Sequence, residues 1–450
     1  MKTSNKLRIC AIILLLVLFA IPLFSACDKP AIDVLVIYNW ADYISPDALD
    51  GFSEYYFEAT GREVQITYST FDTNENMLTT LINGKAKVDL ICPSEYAIQK
   101  LLQNDFIMEL DFSKIENSVN VYGDIKDSIA SIFGGLIIDG KSIDMTKYFV
   151  PYMWGTLGIL YNADVVTEAD LENGWGLLWN EAKNPELTGK ILVKDSIRDT
   201  YAAAVLYLAE NDLLPASHKD KSIQELINTV DAEMLAAAES VLSAQRSELK
   251  GYEVDFGKDD MITGAAYVDL AWSGDALWAI EEGELEGVNL DYFVPEIGGN
   301  VWFDGWVIPK NAQNVDAALL FINYMCLPEI AIMNSMEIGY TNSIDPEILQ
   351  SDEVVLAILE ENEYDVEEYF SDIRRYPVVD EKLGVMSDFG EANELAVAMW
   401  ERVKAGMGDS EGLGDLAVPV YILVGIAALV LIFTAVYFIV DKLKIRPRPI

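Results

Sequence analysis

Short apolar runs alternate along the chain with stretches whose apolar positions recur at helical spacing. Asp33-Val-Leu-Val-Ile-Tyr38 suits a buried strand, and Ser45-Pro46 then supplies an N-cap with proline at the first helical position. Leu49, Phe52, Tyr56 and Phe57 mark the apolar face of the helix that follows, Gly61 ends it, and Glu63-Val-Gln-Ile-Thr-Tyr68 alternates like a strand. These residues form one βαβ unit. A second helix is predicted over residues 73–82, stopped by Asn83-Gly84, then a strand at Val88-Asp-Leu-Ile-Cys92 and a helix over 96–102. Such alternation with short connections predicts an open, largely parallel sheet whose ligands lie beyond the carboxyl ends of the strands. Tyr38-Asn-Trp40 and Pro93-Ser-Glu-Tyr96 occupy such ends.

Further on, Leu157-Gly-Ile-Leu-Tyr161, Lys190-Ile-Leu-Val-Lys194 and Tyr267-Val-Asp-Leu-Ala-Trp272 look like strands, separated by a long helical stretch over 223–245. A second α/β lobe is implied. Tyr-Phe-Val-Pro occurs at 148–151 and again at 292–295, marking candidate lobe-crossing segments, although four residues are too few to establish a repeat. Ala317-Ala-Leu-Leu-Phe-Ile-Asn-Tyr324 is helical, the folded part ends near Lys404, and four glycines within 405–416 suit a flexible tether.

The two ends carry membrane signals. Lys2, Lys6 and Arg8 precede an apolar run from Ile9 to Phe24, the layout of an export signal. Leu23-Phe-Ser-Ala-Cys27 resembles a bacterial lipobox, which makes Cys27 the candidate for lipidation after removal of residues 1–26; the alternative is an uncleaved anchor. A second uncharged run, Ala417 to Val440, is long enough to cross a hydrocarbon core as a helix. The four basic residues of the tail 441–450 orient that helix with its C-terminus in the cytoplasm, which leaves the central chain outside.

Composition narrows the chemistry. The 450 residues include 31 Lys plus Arg against 73 Asp plus Glu, a formal net charge of -42. Nucleic acid is excluded as a partner, because phosphate binding needs clustered cations that displace counterions. The one histidine, His218, sits in a polar turn, which argues against histidine triads and histidine-rich zinc sites. Cys92 and Cys326 lie in apolar sequence and read as buried thiols rather than a disulfide framework. No metal or cofactor is expected.

Five segments place an aromatic or hydroxyl residue beside a carboxylate at a predicted strand end or loop: Tyr38-Asn-Trp-Ala-Asp-Tyr43, Ser94-Glu-Tyr96, Asp195-Ser-Ile-Arg-Asp199, Trp272-Ser-Gly-Asp275 and Trp302-Phe-Asp304. Indole faces attract ammonium groups, and carboxylates add charge-assisted hydrogen bonds. An alkyl polyamine needs both, since its methylenes want aromatic walls and its ammonium groups want counter-charges. A single tryptophan near an aspartate is more often core packing beside a turn, so the weight lies in the five together.

These segments, with Thr67-Tyr-Ser-Thr-Phe-Asp-Thr-Asn-Glu75, Asp89-Leu-Ile-Cys-Pro-Ser-Glu-Tyr96, Val150-Pro-Tyr-Met-Trp-Gly155, Ile308-Pro309 and Ile338-Gly-Tyr340, resemble the spermidine/putrescine-binding components of bacterial ABC importers over residues 33–405. The resemblance implies a two-lobed α/β periplasmic-binding-protein-like fold of type II with hinge-linked lobes, to which the C-terminal transmembrane helix is added. Its implied divisions are 27–152 for the first part of lobe 1, 153–300 for the first part of lobe 2, 301–345 for the return to lobe 1, and 346–404 for the return to lobe 2. It implies that Trp40, Tyr43, Trp272 and Trp302 box methylenes, that Asp42, Asp199, Asp275 and Asp304 face amines, and that Ser94, Tyr96 and Tyr340 add hydrogen bonds. It also implies no catalysis, and an ABC permease with its ATPase as partners. Ser196 replaces the second acid of spermidine-preferring members, and Met386 falls where they tend to have Gln, whereas Trp272-Ser-Gly-Asp275 looks like the putrescine-preferring ones. The choice among putrescine, spermidine and a related diamine therefore stays open. Other readings are a receptor for another solute, an exported glycosidase using paired carboxylates, and a surface protein with no small ligand.

Overall fold

The computed structural model describes residues 32–84, 87–123, 125, 136–138 and 140–406. The predicted export signal 1–26, the lipidation candidate Cys27, the predicted tether beyond residue 406, and the predicted membrane helix 417–440 with its tail 441–450 lie outside the described residues. Contacts divide the chain into Met1–Trp400 and Glu401–Ile450, and the fold below is that of the first unit.

Eleven strands form one sheet: β1 Asp33–Trp40, β2 Val64–Phe71, β3 Leu90–Ile91, β4 Phe149–Asn162, β5 Ile191–Lys194, β6 Leu249–Glu253, β7 Val268–Trp272, β8 Leu290–Phe293, β9 Gly299–Val307, β10 Thr341–Asn342 and β11 Leu383–Gly384. Their order is β2-β1-β3-β9-β4-β7-β5-β6, with β8 and β10 pairing β4 and β11 pairing β9. β1, β2 and β3 are mutually parallel, as are β5, β6 and β7. The sheet as a whole is mixed, a correction to the largely parallel expectation. β4 and β9 run antiparallel to each other, and β9 to β3 and β4 to β7, because each passes from one parallel set to the other; only the short β11 pairs β9 in parallel. Their residues are buried almost throughout, so no alternation marks them, as expected of strands covered on both faces.

Where β4 passes between the lobes, the register slips: Asp304 pairs with Met153 and Gly305 with Pro151, leaving Tyr152 as an extra residue. A bulge bends its strand and re-aims side chains, and it tolerates a proline that an interior strand position would not.

Local chemistry accounts for the helices. In α1, Pro46–Thr60, proline starts the helix, Gly61 closes it at φ 69°, and its N–H reaches the Phe57 carbonyl. Ala48, Phe52 and Tyr56 recur every fourth position and are buried, with Phe52 4.9 Å from Phe321 and 5.6 Å from Tyr324, centre to centre. The predicted 223–245 helix is in fact two, Ile223–Leu226 and Ala232–Gln245, because Asp231 caps the second by accepting from Glu233 and Met234 N–H groups. His218 is buried, with Nε2 3.0 Å from Asp231.

Leu349, Val355, Leu359 and Tyr369 pack into the same apolar cluster as Leu35, Ile37 and Phe52. Helices within 346–371 therefore lie with the first lobe, and the stretch that pairs with the second begins at β11, where Gly384 meets Asn300. No single helix among the described residues is long and apolar enough to cross a membrane; the bent pair Val315–Met325 and Pro328–Ile338 contributes Phe321, Ile322, Ile330 and Ile332 to the core. Truncating Phe52 to Ala should cost about 3–5 kcal/mol, seen as a lower urea midpoint at unchanged slope. A loss below about 1 kcal/mol would contradict this packing.

Candidate functional site

Four helices start where parallel strands end, and each carries a carboxylate in its first turn. Glu75 belongs to α2, Asn74–Ile82, after β2; Glu95 belongs to α3, Glu95–Gln103, after β3. Asp199 sits in α4, Ile197–Glu210, after β5, and Asp275 in Ser273–Glu286 after β7. The partial positive charge of a helix N-terminus favours anions there. These ends converge on one cleft of about 850 Å³, counting the part open to solvent.

All eleven predicted binding residues, Trp40, Asp42, Tyr43, Ser94, Tyr96, Asp199, Trp272, Asp275, Trp302, Asp304 and Tyr340, line this cleft. Asp42 sits at φ 46° in the turn after β1 and is exposed, while Tyr43, Asp199, Asp275, Trp302, Asp304 and Tyr340 are buried. The aromatic wall is continuous: the Tyr340 ring lies 5.1 Å from Tyr43 and 5.5 Å from Trp302, edge to face in both cases. Two glycines make room for it. A Cβ on Gly274 would stand 2.1 Å from the Tyr340 ring, and one on Gly155 would stand 2.3 Å from Ser273 Oγ and 2.8 Å from the Trp302 ring.

Hydrogen bonds fix the polar groups. Tyr43 donates its hydroxyl to Asp304 Oδ2 at 2.8 Å, and Trp272 donates its indole N–H to Asp199 Oδ1 at 3.3 Å. Asn74 donates to both Ser94 Oγ at 2.9 Å and Tyr96 Oη at 3.0 Å, and Tyr96 donates to Glu75 at 3.2 Å. Other groups are buried with no protein partner, among them the indole N–H groups of Trp40 and Trp302 and Oε1 of Glu95.

Glu75, Glu95, Asp255 and Lys258 also line the cleft and were not among the predicted residues. Glu95 lay within the quoted Ser94-Glu-Tyr96; its Oε2 accepts the Phe303 N–H at 2.9 Å. Asp255 and Lys258 follow β6, and Phe256 beside Asp255 is an aromatic–carboxylate pair of the kind singled out elsewhere, the signal that could have found this segment. With Asp42 and Asp72, the lining carries eight carboxylates and one cation, Lys258. Burial drives the electrostatics: it pushes the Glu95 carboxyl up to about 8 and Asp304 up to about 7, where hydrogen bonds from Ser94 and Tyr43 oppose the rise and Asp199 adds to it. Asp199 is raised by burial too, against its hydrogen bonds from Ser196 and Trp272 and the charges of Lys194 and Arg198. Among the described residues no cluster of histidine, cysteine and acid side chains is arranged to hold a metal ion. The arrangement suits an organic cation: aromatic faces for its carbon chain, carboxylates for its charge.

Residues 52–356 match the family model described as bacterial extracellular solute-binding protein. The chain is 28% identical over 318 residues, 70% of its length, to the spermidine/putrescine-binding periplasmic protein of Escherichia coli, covering 79% of that protein. It is 29% identical over 300 residues to the putrescine-binding periplasmic protein SpuD of Pseudomonas aeruginosa, covering 66% of this chain and 74% of SpuD. Among solved structures, the spermidine/putrescine ABC transporter substrate-binding protein PotD of Streptococcus pneumoniae superposes with a TM-score of 0.60 at 30% identity, covering 83% of this chain and 99% of PotD.

The raised Asp304 carboxyl has a consequence for stability. A carboxyl whose folded value exceeds its unfolded one destabilises the fold progressively as pH rises from the unfolded value, about 4, to the folded one, and by a constant amount above it. Without ligand, Asp304→Asn should therefore raise stability at pH 8 by about 1–3 kcal/mol, and the gain should shrink as pH falls from 7 towards 4. Thermal melts across pH check this; a loss of stability at pH 8, or a gain that does not change with pH, would contradict it.

Proposed function

We propose, on the premise that the chain belongs to the bacterial extracellular solute-binding protein family, that it is the polyamine receptor of an ABC importer. Members of this family bind solutes and are not enzymes, so the paired carboxylates of a glycosidase are not the relevant chemistry. The observation that carries the proposal is the lining itself: eight carboxylates against one lysine, interleaved with Trp40, Tyr43, Trp272, Trp302 and Tyr340.

In this reading the methylenes of putrescine or spermidine lie between Trp40, Tyr43, Trp272 and Trp302. Their ammonium groups face Asp304, Asp199, Asp275 and Asp42, while Ser94, Tyr96 and Tyr340 complete the hydrogen bonds. Each ammonium brings the counter-charge that buried Asp304 lacks and adds to what Lys194 and Arg198 give Asp199, so ligand binding relieves a repulsion among the cleft carboxylates. Groups from both lobes meet the ligand only when the lobes approach, so the ligand favours the closed arrangement by its extra contacts there. The closed, loaded form then presents a surface to a permease driven by its ATPase.

The receptor works outside the cytoplasmic membrane and is held to it. The export signal over 1–26 delivers it, Cys27 carries a lipid, and the helix 417–440 crosses the bilayer with tail 441–450 in the cytoplasm. Support for these anchors is the sequence pattern at each end.

Titration calorimetry of the purified, ligand-free protein with putrescine and with spermidine tests the ligand. Saturable heat with at least one is expected, and heat with neither overturns the proposal. Asp304→Asn should weaken binding by at least about thirtyfold, since it leaves a desolvated ammonium without its partner. Unchanged affinity would remove Asp304 from the site. Mass spectrometry of the mature N-terminus should find an acylated Cys27; an unprocessed Met1 would contradict lipid anchoring.

A further inference from the structure

The one cation in the cleft stands against a carboxylate that the ligand would use. From helix Gly257–Ile262, Lys258 places Nζ 3.5 Å from Oδ1 of Asp275 and 5.1 Å from the centre of the Trp278 ring. The other oxygen of Asp275, Oδ2, faces Lys194 Nζ at 3.9 Å. Lys194 is fully buried, lies 4.4 Å over the Trp272 ring, and is committed to Glu253. Both oxygens of Asp275 therefore meet a protein ammonium.

The other end of the cleft differs. Asp304 takes the Tyr43 hydroxyl, and among the described residues no lysine or arginine forms an ion pair with it. The Tyr340 ring packs against Gly274, next to Asp275, and lies 5.1 Å from the ring of Tyr43, which donates to Asp304, so both carboxylates border the same aromatic wall. Of these two carboxylates, Asp304 is left to a ligand and Asp275 is already compensated.

A lysine head is itself a primary ammonium on a four-carbon chain, resting here on an indole and a carboxylate, the surroundings an amine ligand would choose. We propose that Lys258 is a specificity-determining residue that occupies the ammonium position at Asp275, so that the cleft favours a dication with one short spacer over a longer trication. A third ligand ammonium directed at Asp275 would meet like charge from Lys258 as well as Lys194. Discrimination by a repulsive element is a common route to specificity when the attractive contacts are shared by both ligands. The inference rests on the polyamine reading of this cleft and refines it.

The test compares putrescine and spermidine affinities by calorimetry for the parent, Lys258→Gln and Lys250→Gln. Lys250 pairs with Asp260 and is not among the cleft residues, so its variant makes the same change in net charge away from the ligand. Lys258→Gln should shift the affinity ratio towards spermidine by about tenfold or more, the scale of one charged hydrogen bond. Lys250→Gln and the charge-conserving Lys258→Arg should leave the ratio within about threefold of the parent, under a charged hydrogen bond's worth. Lys258→Met, which keeps the apolar stem, gives the same reading should the glutamine variant fold poorly. If the parent binds an amine and neither Lys258 variant moves the ratio, or Lys250→Gln moves it equally, the assignment of Lys258 is overturned while the receptor reading stands. If the parent binds neither amine, both fall.

Discussion

Carboxylates withdrawn from water repel one another and oppose folding unless positive charge meets them, and this cleft gathers eight, of which Asp42, Asp72 and Asp255 are exposed, with a single lysine. Fixed dipoles make the gathering tolerable. Glu75, Glu95, Asp199 and Asp275 each occupy the first turn of a helix, where exposed N–H groups favour an anion by about 0.3–1 kcal/mol or somewhat more when partly buried. That is too little to offset full desolvation, and the raised Glu95 and Asp304 carboxyls show the remainder. The fold thus holds a charge arrangement left incomplete by the protein alone, and a ligand of opposite charge completes it.

The sheet makes such an arrangement possible. Two parallel sets point the carboxyl ends of β1, β2, β3, β5 and β7 toward a common gap, so helix after helix begins there. β4 and β9 cross the gap, and the slip at Tyr152 lies opposite the Asp304–Gly305 step. Asp304 is fixed from three directions: by its own strand, by the bridge to Ser94 at the start of α3, and by the Tyr43 hydroxyl. Across the gap, Lys100 of α3 meets Asp388 at 3.0 Å, an ion pair that joins the first lobe to the stretch following β11.

Much of this was legible in the chain because strand ends carry their own signature. Tyr38-Asn-Trp40, Ser94-Glu-Tyr96 and Trp272-Ser-Gly-Asp275 stand where an apolar run gives way to a helix start, and the structure brings them to one cleft. The crossing strands were less legible, since burial on both faces of β4 and β9 erases period-two alternation and the antiparallel pairing depends on partners distant in sequence. The same holds for 346–371, whose short helices carry no mark of which lobe they cover; Leu349 and Val355 declare it only through their contacts. Asp255 stands beside Phe256 and was within reach of the aromatic–carboxylate pattern, whereas Lys258 is a cation that this pattern does not select, and only the tertiary fold brings it to Asp275.

The claim on which the rest depends is that the cleft recognises two positive charges held apart by a short alkyl chain. Calorimetric titration of one protein preparation with 1,4-diaminobutane, 1-aminobutane and 1,4-butanediol, which share the four-carbon chain and differ in charge, tests it most directly. The account predicts that each ammonium removed weakens binding by roughly tenfold to a hundredfold, leaving the uncharged diol without measurable affinity. Equal affinity for the diamine and the diol would show that the carboxylates do not recognise charge, and would contradict it.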